Sequence, residues 1–410
     1  MTPASTERRL VHILGAGPVG LILTAMLQSM PGFSIRLYEK RATYTRKRMV
    51  KLAPYLIADS VEAYHDDRID GENIDAVFDR WELEQSMAFR RSVATPLRQL
   101  LEAWTTGFTP LNEIEQGLSD LIDAPGVSPV ERVQMALSMK DVTTLLSPGD
   151  ILVDCTGRNS LLRDHLEVPT GEVREAPFEE PNMLNLRLEY AAVITFLHGR
   201  PYECNEYCKY YKNVENTQYK FIPSVDRTMH DADISHVTGI VNISAADFEA
   251  MPPQCDGDFL RANFPGVAEA MDRFIDKVCE ETGGGTIGDL EVIRIPLNLY
   301  RALNATNRRL RRQPEGAHPL ASSSVLLAGD SAIGSPYFQS ISLGFECAMF
   351  LAGLLADPTL GEDETLERYE NLVYKQWLRV YMRSKLIKHN KDLFESLDDT
   401  FGLLDKLHIY

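Results

Sequence analysis

With 410 residues, 44% of them hydrophobic, the chain can bury a large core and is expected to divide into two or three structural units. Its 42 basic residues against 59 acidic ones give a net charge of -17, which repels nucleic-acid phosphates and anionic membrane surfaces and argues against either as a partner. The six cysteines, at 155, 204, 208, 255, 279 and 347, lack the CxxC spacing of a zinc or redox pair. Cys204 and Cys208 read as buried thiols, and scattered thiols of this kind suit a reducing cytoplasm. No apolar signal segment precedes the first glycine turn, and the longest apolar stretch, CAMFLAGLLA, is too short to span a bilayer. The expectation is a cytoplasmic protein.

In chain order, LVHILGAG reads as a buried strand that runs into a turn, and PVGLILTAMLQSM as an apolar helix closed by Pro31 and Gly32. FSIRLYEK alternates as a second strand, so the chain starts with the strand, helix, strand unit of a parallel sheet. TPLRQLLEAW and LNEIEQGLSDLI carry helical spacing. ERVQMALSMKDVTTLLSPGDILVDC is expected to form three short strands with SPGD as a turn. MLNLRLEYAAVITFL, TQYKFIPS, HVTGIVNIS and LEVIRIPLNLY form a strand-rich region with one helical insert near DFLRANFPGVAEAMDRFIDKVCEE. RRLRRQPEGAHPLAS is a polar connection, SSVLLAGD returns to the first sheet, and residues 364 to 410 are helical.

Gly15, Gly17 and Gly20 form GAGPVG, a GxGxxG that leaves a strand and opens a helix, with Glu39 closing the second strand. Each position has its own physical role: a tight turn, backbone approach to a pyrophosphate, close helix packing, and an acceptor for ribose hydroxyls. Pro18, Val19 and Lys40 belong to the same expected dinucleotide site. Two further segments, DCTGRNSLLR at 154 to 163 and LLAGDSAIGSP at 326 to 336, are not required by a simple NAD fingerprint.

With these three motifs in this order, the chain resembles the FAD-dependent aromatic-ring monooxygenases of the p-hydroxybenzoate hydroxylase type, which include kynurenine 3-monooxygenase. The resemblance covers most of residues 10 to 175 and 295 to 360. It implies an α/β protein: a Rossmann-like FAD domain (1–165 and 301–360), an inserted β-sheet substrate domain (166–300) and a C-terminal helical segment (361–410). It implies that Asp330 bonds the ribityl chain of FAD, that Gly157 and Arg48 lie at the cofactor, and that the loop with Pro336 runs beside the flavin ring. The competing reading of Arg48 is a solvated basic face shared with Arg46 and Lys47. The helix beginning near Ser342 would point its positive end at the flavin pyrimidine edge. Ser340, Ile341 and Ser342 are then cofactor contacts, the serine hydroxyls standing where relatives carry glycine and asparagine.

The implied chemistry is transfer of one oxygen atom from a flavin hydroperoxide, formed with dioxygen, to a small aromatic or natural-product substrate. Pro336, Tyr337 and Gln339 are the expected catalytic-loop residues, since that loop should face the flavin. Two departures from the family stand out. Thr156 precedes Gly157 where the family has an aspartate tied to nicotinamide use, so electrons are expected from NAD(P)H or from a separate flavin reductase. Ala94 stands where an arginine or glutamine is usual before LRQLL, with Arg98 as the possible substitute.

Tyr202, Tyr207, Tyr210, Tyr211 and Tyr219 either wall a flat substrate or fill a sheet interface. GGGTIG at 283 to 288 follows a helix instead of a strand and reads as a turn, and HDDRIDGEN at 65 to 73 as a solvated acidic loop with no metal. His12 and His165 read as structural. Two alternatives stay open: a flavin-dependent dehydrogenase or reductase on the same fold, and a non-catalytic nucleotide-binding protein.

Overall fold

The structure is a computed structural model that describes residues 8–46, 49–50, 52–60, 63, 90, 93–107, 109–167, 177–178, 180–199, 221–226, 234–314, 318–335 and 340–382. The chain begins with β1 (Arg9–Leu14), α1 (Pro18–Gln28) and β2 (Phe33–Glu39). β3 (Met49–Val50) and β4 (Thr109–Pro110) form a small antiparallel pair. Between and after them come helices α2 (Thr95–Thr106) and α3 (Leu111–Ile122). β5 (Val130–Gln134), α4 (Met139–Leu145) and β6 (Ile151–Asp154) follow.

The sequence expectation of three strands over 131–155 is corrected here: the middle one is α4. Ser138 and Asp141 form a capping box, each side chain bonding the other's backbone N–H, which starts a helix where a strand was expected.

An antiparallel sheet occupies the middle of the chain. It contains β7 (Met183–His198), β8 (Phe221–Asp226), β9 (Ser235–Ile243), β10 (Gln254–Asp256) and the long β11 (Thr286–Ala302), in the order β10-β11-β7-β9-β8. α5 (Pro265–Thr282) covers one face of it. Val267, Met271 and Phe274 from the helix pack with Ile194, Phe196, Val237 and Val292 from the strands. α5 ends at Gly283 (φ 68), whose left-handed backbone closes the helix before β11, so the glycine-rich stretch is a helix stop.

β12 (Ser324–Leu327) then returns to the first sheet, and β13 (Ile333–Gly334) pairs with the end of β11. The parallel sheet has the order β12-β6-β1-β2-β5, with every pairing parallel. β1, β6 and β12 are short apolar runs buried on both faces, as strands covered by helices on both sides must be. After β1 the chain moves to β2 on one side and later to β6 on the other, so the order reverses at β1. The crevice beyond the carboxyl ends of strands at such a reversal is where ligands of open α/β sheets bind.

α6 (Ser340–Ala356) and α7 (362–382) complete the described chain. α6 packs on α1 at close range: a Cβ at Gly344 would lie 2.7 Å from Val19 Cγ2. Tyr369 of α7 is fully buried and donates its hydroxyl proton to the Leu327 carbonyl of β12 at 2.8 Å. Glu346 of α6 is buried between Arg90 (3.1 Å) and Arg379 (2.9 Å), so α7 is tied to α6 by charge as well as by packing. His12 is buried within β1, with Tyr38 Oη and Asp150 Oδ2 at 3.0 and 3.3 Å from its ring nitrogens; burial lowers its pKa against the pull of Asp150. Among the described residues, no helix is long and apolar enough to cross a membrane.

The tightest backbone approach is at Gly20, where a Cβ would collide with the Gly15 carbonyl oxygen. Gly20→Ala is therefore expected to cost about 2 kcal/mol or more by forcing α1 away from the turn. A urea titration reads this as a lowered midpoint, and an unchanged midpoint would contradict the packing.

Candidate active site

A cavity of about 880 Å³ opens at the carboxyl ends of β1, β2, β6 and β12. Its wall includes four stretches far apart in sequence, completed by Val50, Leu111 and Met135 to Leu137. Gly15, Gly17, Pro18 and Val19 form one side. Glu39, Lys40, Arg41 and Arg46 form the second, Thr156 to Leu161 the third, and Asp330 with Ser340 and Ile341 the fourth. The three separated motifs of the sequence thus meet around one space.

The turn between β1 and α1 has Gly17 at the helix N-cap with no side-chain cap, and Pro18 in the first turn. Gly17 has an extended backbone (φ -75, ψ -178) that any residue can adopt. Its missing side chain is not required by packing either, because a Cβ there would meet only the end of the Arg46 side chain, at 3.5 Å. What a side chain at Gly17 would fill is the cavity itself. An uncapped helix start beside open space suits a phosphate group.

Glu39 is well placed but heavily engaged. Its Oε2 accepts from the Ala16 N–H (3.0 Å) and from Arg41 Nη2 (3.3 Å), and its Oε1 from the Arg41 N–H (2.9 Å) and Nε (3.0 Å). Burial pushes this carboxyl's pKa up, but the bonds from Arg41 and Ala16 outweigh it and hold the pKa below the ordinary value. A ribose diol would have to displace part of Arg41 to reach it.

The third wall is organised by Asp154, the last residue of β6, whose side chain has no exposure to solvent. Its carboxylate accepts from the Thr156 N–H and hydroxyl (2.8 and 2.6 Å), the Ser160 hydroxyl (2.7 Å) and the Leu162 N–H (2.9 Å). Ser331, one residue past Asp330, lies 3.2 Å from Oδ1, and its hydroxyl oxygen accepts from the Gly157 N–H at 3.0 Å. The Thr156 hydroxyl is therefore turned into the wall. Asp330 is fixed from the other sheet, since Tyr300 of β11 donates to its backbone carbonyl at 2.9 Å. Burial raises the Tyr300 pKa well above its usual value, and the guanidinium carbons of Arg163 and Arg158 lie 5.7 and 5.8 Å from its ring centre.

Charge in the cavity wall is inverted relative to the chain. Lys40, Arg41, Arg46 and Arg158 face it against Glu39 and Asp330, in a protein of net charge -17. Such a local reversal draws an anionic ligand to the cavity. Together with the open Gly17 turn, it makes the residues present a fit for a dinucleotide.

The chain shares its fold with a tetracycline destructase. That protein, tetracycline destructase Tet(51), is 13% identical over 97% of this chain and 95% of that one, with a TM-score of 0.50. Diels-Alderase PyrE3 from the biosynthetic pathway of pyrroindomycins is 15% identical over 97% and 78%, with a TM-score of 0.49. 2-Methyl-3-hydroxypyridine-5-carboxylic acid oxygenase is 14% identical over 94% and 92%, with a TM-score of 0.45. No protein-family model and no curated protein matches the sequence. At 13% identity the likeness to the destructase is one of fold.

Of the residues expected at the site, Gly15, Gly17, Pro18, Val19, Glu39, Lys40, Gly157, Asp330, Ser340 and Ile341 line the cavity. Gly20 lies behind it, in contact with Gly15. Ser342 is buried and is not among the lining residues; its hydroxyl accepts from the Ala53 N–H at 3.0 Å, and α6 begins two residues earlier, at Ser340. Arg98, left open as a substitute for the family's arginine or glutamine, pairs with Glu102 (3.1 Å) and Asp59 (3.7 Å) and is not among the lining residues. Arg48, Pro336, Tyr337, Gln339, the five tyrosines, Cys204, Cys208 and the 65–73 loop lie outside the described residues.

Sequence reasoning missed the parts that Asp154, Arg41 and Arg46 play in this site. Asp154 carried a signal: an acid ending an apolar strand, followed by threonine and serine that can donate to it. Removing it leaves two buried donors, the Leu162 N–H and the Ser331 hydroxyl, and the part-buried donors of Thr156 and Ser160 without this acceptor. Asp154→Ala is expected to destabilise the fold by about 3 kcal/mol or more, read as a lowered urea midpoint. Equal midpoints for the variant and the parent would show that the 156–162 loop is held by something else.

Proposed function

We propose that the chain is an FAD-dependent monooxygenase that adds one oxygen atom to a small aromatic or natural-product substrate. One observation carries the reading: the GAGPVG turn, the DCTGRNS segment and the Gly329-Asp330 segment, which the sequence likens to the motifs of such enzymes, line a single cationic cavity. A shared fold with a tetracycline destructase agrees with a small natural-product substrate.

In this reading the FAD part comprises residues 1–165 and 301–360, the substrate sheet 166–300, and the helical end 361–410. The Gly15 to Val19 turn faces the diphosphate, Glu39 and Lys40 the adenosine end, and Asp330 the ribityl chain. Gly157, Ser340 and Ile341 lie toward the ring. Arg48, Pro336, Tyr337 and Gln339 keep the cofactor and ring-side roles that the family resemblance implies. When bound, reduced flavin supplies the activation of dioxygen, so no protein nucleophile is required.

The chain's own residues hold and orient. The N–H groups at the start of α1 stabilise the negative diphosphate. Tyr300 fixes Asp330 from the antiparallel sheet, so the wall that would face the substrate and the wall that would hold the cofactor keep a constant spacing. Thr156 presents no carboxylate to a nicotinamide, and its hydroxyl is spent on Asp154. Electrons are therefore taken to come from a separate flavin reductase.

The test begins with colour. Purified protein is expected to be yellow or to take up added FAD. NADH or NADPH alone should leave it unbleached, while a flavin reductase should bleach it. With heavy-isotope dioxygen and a panel of phenols and polycyclic natural products, one heavy oxygen per product molecule is expected. A colourless protein that takes up no FAD would sink the flavoenzyme reading, and prompt bleaching by NADPH would refute the reductase.

A further inference from the structure

Glu115, on α3, is a carboxylate with no solvent exposure that none of the roles above uses. Its Oε1 pairs with Arg46 Nη2 and lies 4.0 Å from Arg41 Nη2, while its Oε2 has no hydrogen-bond partner among the described residues. Burial raises its pKa, and the two arginines pull it back only in part. An acid in such a place is costly, and its burial is offset only by a partner held in good geometry. α3 holds that partner by its backbone as well, since the Asn112 N–H donates to the Arg46 carbonyl at 2.7 Å.

The position so fixed is a particular one. Arg46 lines the cavity, and its Nη2 is the nearest atom that a Cβ at Gly17 would meet, at 3.5 Å. The side chain of Arg46 is 45% exposed, and a guanidinium offers five N–H donors, so pairing with Glu115 leaves donors for a ligand. A planar fork of this kind matches a phosphate through two parallel bonds. Arg46 thus stands across the glycine turn from the uncapped start of α1, and the two together enclose the place of a diphosphate.

We propose that Arg46 is a diphosphate-contacting residue of this site and that Glu115 is the positioning residue that holds its guanidinium over the Gly17 turn. The proposal rests on the dinucleotide reading above.

The test measures binding, not turnover, by calorimetry on apoprotein with FAD, with ADP as a flavin-free diphosphate, and with adenosine as a phosphate-free control. Arg46→Gln is expected to weaken FAD and ADP alike by about ten- to hundredfold and to leave adenosine unchanged. Arg46→Lys should fall between. Glu115→Gln should weaken ADP severalfold in the parent but not in the Arg46→Gln background, because its whole effect passes through Arg46. If Glu115→Gln does not fold, the half-exposed Arg46 variants carry the test. Arg46→Gln within twofold of the parent for ADP and FAD, or an equal effect of Glu115→Gln in both backgrounds, would overturn the proposal. A parent protein that binds neither FAD nor ADP would instead bring down the dinucleotide reading beneath it.

Discussion

The carboxylate of Asp154 has no access to solvent, so its charge must be satisfied from within, and the groups that satisfy it belong to two walls of the cavity. Thr156, Ser160 and Leu162 come from the loop after β6, and Ser331 from the segment after β12. Two loops some 170 residues apart are thereby held in one arrangement by one acid. A buried charge with many short donors is strongly specifying, because leaving any donor unpaired in that setting is costly. Tyr300 extends the same constraint to the antiparallel sheet through the carbonyl of Asp330. These bonds tie the loop after β6, the segment after β12 and the antiparallel sheet to one another at the edge of the cavity.

Around that frame the charges are arranged against the overall balance of the chain. In a chain of net charge -17, a cluster of lysine and arginine at the end of β2 makes one crevice attractive to anions. Glu39 and Glu115 keep that cluster ordered, the first through Arg41 and the second through Arg46. Paired acids of this kind hold long basic side chains in place, so less freedom is lost when a ligand arrives.

Much of this was legible in the sequence where local pattern and chemistry agreed. The run LVHILGAGPVG specified strand, turn and helix, because an apolar run, a glycine turn and a proline at the helix start point the same way. The parallel return of β12 was likewise readable from SSVLLAGD. The α4 segment misled, since MKDVTTL is rich in β-branched residues and its helix depends on the Ser138–Asp141 box. At Ser342 the sequence showed a hydroxyl near a helix start but not its partner, the Ala53 N–H, which comes from a distant segment. Glu115 shares its helix face with Leu111, Ile114, Leu118 and Ile122, so an acid on an apolar stripe was visible. Its partner was not, because Arg46 comes from a distant loop with no periodicity of its own.

The central claim is that the Gly17 turn is open in order to receive a dinucleotide. Gly17→Asn tests it directly, because asparagine is a favoured helix N-cap and its side chain would occupy the cradle and the first N–H groups of α1. Thermal melting of the apoprotein and FAD titration of the same samples form one measurement. The account predicts a melting temperature equal to or above that of the parent, with FAD binding weakened by at least about tenfold. Unchanged FAD affinity in a folded Gly17→Asn protein would contradict it.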